Sequence, residues 1–306
     1  MSILINVILP IFLAVGVVTL AQPWLKLDTG TLSRISFHIF LPALVFESLL
    51  GADLGSSELG RFALASVVST LALWPLGEVA ARWLRLEGVT RGSFLIALLL
   101  VNSGNFGYPV VSFAFGESGL PPATIYVLVN TVFVATLGVY LAAQGRATAG
   151  MALRRLLSVP VLYASVFGLL ANLGDLVVPE PVMKAVHLLS VATVPTSLAV
   201  LGLQLSQVFR GVDRDWRSLQ VPALVVVLII RLVLSPLLGL GVARWLGLQG
   251  VAHDVFVLDC ALPTAVLVTI LAGEFEADTS FATLSVFATT AASLVTVTVW
   301  LNWLIG

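Results

Sequence analysis

Apolar residues arrive along this chain in ten stretches, each near the ~20 residues that span ~30 Å of hydrocarbon, with short polar connections between them. The stretches cover about 2–22, 32–50, 60–83, 92–115, 122–143, 156–173, 184–206, 219–243, 253–273 and 280–304. Each predicts a transmembrane helix, so the expected fold class is an all-α polytopic membrane protein. No hydrophilic domain interrupts the series, which confines function to the bilayer and its surfaces. Met1 to Leu20 has no basic flank and reads through to spanning length, which predicts a retained first helix rather than a cleaved signal.

Two of the stretches are broken. In the fourth, Asn102-Ser103-Gly104-Asn105-Phe106-Gly107-Tyr108-Pro109 sets two Asn, two Gly and one Pro at membrane depth. Unwound backbone survives there only where protein or a water-filled cavity receives its polar groups. In the ninth, Asp259-Cys260-Ala261-Leu262-Pro263-Thr264-Ala265 contains Pro263, which cannot donate to the Asp259 carbonyl. Breaks that cross near the midplane bring helix termini together, where N-terminal ends favour an anion and exposed carbonyls hold a cation. A proline kink satisfied by neighbouring Ser, Thr or water is the competing account, above all for the ninth stretch.

An internal repeat ties the two breaks together. Ala81-Arg82-Trp83-Leu84 recurs 162 residues later as Ala243-Arg244-Trp245-Leu246, and Pro42 and Gly116-Glu117 have counterparts in Pro195 and Gly273-Glu274. Two five-helix halves follow, 1–145 and 146–306, within one membrane domain. Five is odd, so the second half is expected to enter the bilayer in the opposite orientation, the inverted-repeat plan that supports alternating access.

Composition and charge narrow the class. Hydrophobic residues make up 59% and charged residues 10% of the chain, outside the range of soluble domains. A net charge of −1 with no basic cluster gives no reason to expect a nucleic-acid partner. Lys26, Arg34, Arg82, Arg85, Arg91, Arg146, Arg154, Arg155, Arg210, Arg214 and Arg217 follow odd-numbered stretches, whereas only Arg61, Lys184 and Arg244 lie on the other side. The positive-inside rule then puts both termini on the extracytoplasmic side of the plasma (inner) membrane, with the acidic Glu274, Glu276 and Asp278 as an exception. No His, Cys, Asp or Glu set has metal-ligand spacing, and Cys260 reads as a small packing residue. Most of the tryptophans, Trp216 among them, lie near stretch ends and read as interface anchors.

With its ten stretches, paired halves, Asn102-to-Pro109 segment and Leu262-Pro263-Thr264-Ala265 segment, the chain resembles the auxin efflux carrier family of the bile acid/arsenite/riboflavin transporter superfamily over essentially its whole length. The resemblance implies a scaffold of segments 1, 2, 6 and 7 beside a transport unit of segments 3–5 and 8–10. It also implies homodimers and elevator-like movement of small organic carboxylates. Only about Gln144 to Arg155 joins segments five and six, so the chain looks like the short bacterial type, whose members resemble malate and malonate permeases. Asn102 matches the leading Asn that in relatives hydrogen-bonds the substrate carboxylate, and Pro109 and Pro263 match the crossover prolines. The expected substrate-binding set is Asn102, Ser103, Asn105, Gly107, Tyr108, Asn130, Thr264 and Arg231. An Asn amide suits the task because it offers donors and an acceptor without a buried charge; its alternative use is an interhelical hydrogen bond.

Ionisable side chains at membrane depth need a partner or a cavity. Arg231 lies ~18 Å into the eighth stretch, too deep for easy snorkelling, and Asp259 is its expected partner. Glu78 and Arg82 have the spacing of a solvated helix pair. Asp259, Glu47 and His38 are the proton-coupling candidates, Asn102, Asn105, Thr264 and freed carbonyls the Na⁺ candidates, and facilitated diffusion needs neither. No cofactor is expected. The function is read as secondary transport of small organic anions and not as catalysis. A receptor that binds without translocating is the alternative, and an intramembrane enzyme a more distant one.

Overall fold

The computed structural model describes residues 3–52, 57–145, 147–211 and 220–306. Arg146, Arg214, Trp216 and Arg217 lie outside the described residues, as does the side chain of Arg210. Every regular element described is a helix, and seven helices are long and apolar enough to cross a membrane. We label the helices α1 (Leu4–Leu25), α2 (Thr29–Leu50), α3 (Ser57–Trp83), α4 (Gly88–Leu99), α5 (103–115), α6 (120–142), α7 (Ala149–Leu157) and α8 (Pro160–Leu173). They continue as α9 (Glu180–Val191), α10 (Thr193–Gly211), α11 (Val221–Trp245), α12 (Gly250–Ala261), α13 (Leu267–Glu274) and α14 (Thr279–Ile305). The run Ser103–Ala142 counts as one span of 40 residues. Gly116, at φ 61°, turns it between α5 and α6, a conformation that suits a residue without a Cβ.

Helices pack closely where one of them lacks a side chain. A Cβ on Gly202 of α10 would sit 2.7 Å from the Val15 carbonyl of α1, and one on Gly168 of α8 would sit 3.0 Å from the Phe46 carbonyl of α2. Asn172 of α8 donates to the Leu49, Leu50 and Ala52 carbonyls, satisfying orphan acceptors at the end of α2. These contacts join α1, α2, α8, α9 and α10 into one layer. On the other side α3 packs on α4, α6 and α11, and α14 packs on α4, α11, α12 and α13. Gly92 brings α4 against the Leu141 carbonyl of α6, and Gly239 brings α11 against Cys260 of α12, which gives that cysteine a packing role.

The 162-residue offset reappears in the geometry. Helices α4 and α12 are both 12 residues long and start 162 positions apart, at Gly88 and Gly250, each with positive φ (50° and 52°). Arg85 and Gly247, separated by the same offset, also have positive φ in the preceding links.

Three expectations are corrected. Residues 149–157, expected mostly as loop, form α7, bent 63° from α8. The α7 sequence alternates apolar side chains with Arg154 and Arg155 at helical spacing and buries none of its residues, a pattern for a membrane surface rather than a core. Glu78 does not pair with Arg82; it accepts from Arg91 and from the Trp74 indole at 3.1 Å, because the tight Arg85 turn folds α4 back beside α3. The fourth-segment break is also earlier and shorter than expected, as described next.

Candidate functional site: the crossing of two broken helices

Helix α4 ends at Leu99, Leu100 is extended, and a helix resumes at Ser103. The unwound stretch is therefore 100–102, not 102–109. Gly104 to Pro109 are helical because Ser103–Gly107 form a π turn, whose extra residue gives Pro109 room near the start of the following α-helix. In the second break α12 ends at Ala261, and α13 begins at Leu267. Pro263 forces Leu262 into the extended region (ψ 153°), and the Asp259 carbonyl that it cannot serve accepts from the Leu262 N–H at 3.4 Å.

The two unwound stretches meet as a short antiparallel bridge, Val101 opposite Thr264. The Asn102 N–H donates to the Pro263 carbonyl at 3.0 Å and the Ala265 N–H to the Leu100 carbonyl at 2.9 Å. Side chains satisfy further acceptors. Thr264 Oγ1 donates to the Ala97 carbonyl (2.8 Å), Asn130 Nδ2 to the Val101 carbonyl (2.9 Å) and to Ser103 Oγ (3.1 Å), and Ser235 Oγ to the Cys260 carbonyl (2.9 Å).

Arg231 is buried, 1% exposed, and all of its nitrogen positions are engaged. Nε donates to the Leu262 carbonyl (3.1 Å), Nη1 to the Leu98 carbonyl (3.0 Å) and Nη2 to the Cys260 carbonyl (2.6 Å). The expected ion pair with Asp259 is not among those formed by the described residues. Two helix C-termini, those of α4 and α12, aim their last-turn carbonyls at this guanidinium. Their partial negative charges replace the carboxylate that the sequence suggested. Three of its five N–H donors are thus committed to backbone.

Three buried polar atoms at the crossing have no hydrogen-bond partner among the described residues: Asn102 Nδ2, Asn105 Oδ1 and Asp259 Oδ2. Asn102 caps the start of α5; its carbonyl accepts from the Phe106 and Gly107 N–H groups (3.3 and 2.9 Å), while its amide hangs free. Asn105 donates to Gln204 Oε1 of α10 at 3.4 Å. A Cβ on Gly107 would lie 2.7 Å from Leu262 Cδ1 and 3.4 Å from Asp259 Oδ1, so this glycine lets α5 and α12 touch. Tyr108 donates to Thr124 Oγ1 at 2.9 Å. An unsatisfied buried polar atom is expensive, so these three atoms are the groups at the crossing open to a ligand or to water.

Two of the expected coupling residues are elsewhere. His38 is exposed, its Nδ1 3.1 Å from the Arg34 carbonyl, and Glu47 pairs with His187 Nδ1 at 2.8 Å. Glu47 and His187 line a cavity of about 650 Å³ with Ser48, Ser112, Glu117 and Ser190. A second cavity of about 320 Å³ is lined by Thr29, Ser33, Gln204, Gln207, Val266 and Thr269. The two cavities use opposite ends of α2 and of the α9–α10 region, and both lie between the two packing layers. Gln204, which touches Asn105 and lines the smaller cavity, escapes a sequence reading that weighs intramembrane charges; its signal is an amide inside an apolar stretch. Among the described residues, no group of three His, Cys, Asp or Glu is placed to hold a metal ion.

A helical membrane protein with paired unwound helices has the form of a transporter. Comparison with known proteins agrees: the membrane transport protein family profile matches residues 3–301, and the chain belongs to this family, that of the auxin efflux carriers. It is 31% identical over 277 residues to an uncharacterized transporter of Methanothermobacter thermautotrophicus, covering 89% of this chain and 88% of that one. A second uncharacterized transporter, from Methanocaldococcus jannaschii, is 25% identical over 286 residues, 90% of this chain and 89% of the relative.

Proposed function

We propose that this membrane transporter is a secondary carrier of small organic anions, carboxylates such as malate, malonate or auxin-like acids, bound where the two breaks cross. The observation that carries the reading is the free Asn102 amide at the start of α5, beside first-turn N–H groups that have no intrahelical acceptor. Arg231 neutralises the two C-terminal ends at the crossing, so the field left for a ligand is that of the N-terminal ends, which favours an anion. Asn102 and Asn105 supply uncharged polar groups, Asn130, Ser103 and Thr264 hold the backbone around them, and Asp259 is the coupling candidate nearest the site.

The proposed movement is elevator-like. The scaffold is α1, α2 and α8–α10, and the transport unit is α3–α6 with α11–α14. Support comes from the two layers and from cavities at both ends of the seam between them. The proposed topology is ten spans in two inverted halves, 1–145 and 146–306, with both termini extracytoplasmic, and the proposed assembly is a homodimer. The 162-residue offset between α4 and α12 supports the halves. The Arg155–Glu274 pair and the Arg61 bond to the Gly247 carbonyl (3.2 Å) each join positions that this topology puts on one side.

Counterflow in proteoliposomes loaded with malate, malonate or indole-3-acetate tests the reading. The account expects labelled anion to accumulate against the preloaded one, above protein-free liposomes. Saturable binding of an anion without flux would identify a receptor instead.

A further inference from the structure

Unwound carbonyls and half-helix C-terminal ends at a crossover are the groups with which transporters gather a coupling cation. Here three of them are already taken. Arg231 reaches from α11 and collects Leu98 from the last turn of α4, Cys260 from the last turn of α12 and Leu262 from the second break. We infer that Arg231 is a built-in cation: its guanidinium fills the position of an exchangeable coupling ion, locks the two breaks in register, and makes the crossing independent of Na⁺. For flux this rests on the transporter reading above, but the geometry of the clamp does not.

The chemistry favours arginine specifically. Its planar fork directs three different nitrogens at three carbonyls on two chain segments, whereas a lysine would have to direct all its bonds from one nitrogen. Among the described residues no carboxylate pairs with its charge, which is balanced by the C-terminal ends of α4 and α12. The local frame is made for it. Arg231 lies in a π turn, Ile230–Leu234, whose Leu232 carbonyl is satisfied by the Trp300 indole at 3.2 Å, and Ser235 one turn on shares the Cys260 carbonyl. A mobile Na⁺ would have to displace a covalently tethered cation that makes three charge-assisted bonds in a buried site. Arg231 is therefore a positioning residue that acts on the ligand only through the backbone of the breaks.

The test is thermal unfolding of the purified full chain in detergent, without substrate, in NaCl against choline chloride at equal ionic strength. Wild type is expected to show the same Tm in both salts. Arg231→Ala is expected to unfold at least about 5 °C lower, and to recover part of that loss in NaCl or in millimolar methylguanidinium but not in choline. Arg231→Lys, which keeps the charge and loses the fork, is expected to unfold below wild type and to ignore the choice of salt. A Na⁺-specific stabilisation of wild type overturns the inference, and so does an Arg231→Ala protein that responds to neither cation. Should Arg231→Ala not fold, an Arg231→Lys protein as stable as wild type overturns it equally. None of these readouts uses an organic anion, so their failure is distinct from a failure of counterflow.

Discussion

Val101 and Thr264 face each other as an isolated antiparallel bridge inside an otherwise helical protein, each on the unwound stretch of a broken helix. That bridge fixes which carbonyls and N–H groups the two breaks expose. Thr264 is fully buried and returns its hydroxyl to the Ala97 carbonyl. Thr264→Val keeps the shape and strands that acceptor. We expect a loss of about 1–3 kcal/mol in unfolding free energy, read as a lower Tm in detergent, whereas Thr264→Ser should stay closer to wild type.

Gly107 and Leu262 set the approach of α5 to α12. A methyl group at position 107 collides with Leu262 Cδ1, and Leu262 is itself 0% exposed with nowhere to swing. Gly107→Ala is expected to cost about 1–3 kcal/mol by overpacking. Shortening the neighbour should relieve it, so Gly107→Ala with Leu262→Ala should lose less than the two single losses added together. Strict additivity in unfolding measurements would show that the contact is not the cause.

The fold was legible in the sequence where chemistry is local. Asn, Gly and Pro marked the first break and Pro263 the second, and the Ala-Arg-Trp-Leu repeat marked the 162-residue offset that α4 and α12 reproduce. What could not be read was where backbone acceptors end up. A sequence displays Arg231 and Asp259 as opposite charges, but the helix-end carbonyls that hold the guanidinium have no letter of their own. Glu78 found Arg91 instead of Arg82 because a left-handed Arg85 reversed the chain, a choice made by the turn and not by helical spacing. Pro109 pointed to unwinding at its own position, and the π turn before it absorbed the effect. The α7 helix was missed because nine residues interrupted by two arginines fall below any hydropathy threshold for a span.

Outside the membrane spans, Asp28 caps α2. It accepts from the Thr31 hydroxyl and from the Thr31 and Gly30 N–H groups (3.0 and 3.2 Å), and these bonds hold its carboxyl below the ordinary value of 3.8. A lowered folded value means that the contribution to stability is present above pH ~4 and fades as the pH falls through the depressed value. Hydrogen exchange at Gly30 and Thr31 should therefore be protected at neutral pH relative to Asp28→Ala, and the difference should vanish in strong acid. Equal protection in both proteins at pH 7 would remove the cap.

Arg155 on α7 pairs with Glu274 at the end of α13 through two bonds of 3.2 and 2.9 Å, and its guanidinium stacks 5.8 Å from the Phe275 ring. Both partners are partly exposed, so solvent screens the pair. A double-mutant cycle with Arg155→Ala and Glu274→Ala should give a coupling energy below about 1 kcal/mol. A coupling several times larger would mean that α7 anchors α13 and does more than rest beside it.

Asn102 and Asn130 provide the sharpest contrast at the site. Asn130 spends its amide on the Val101 carbonyl and Ser103, while Asn102 Nδ2 has no partner among the described residues. The most direct measurement is malate counterflow and Tm for Asn102→Ala and Asn130→Ala side by side. The account predicts that Asn102→Ala folds with wild-type Tm and loses anion flux at least about tenfold, one good hydrogen bond to a charged ligand, whereas Asn130→Ala lowers Tm. Wild-type anion flux in a folded Asn102→Ala protein would contradict the placement of the substrate at the crossing.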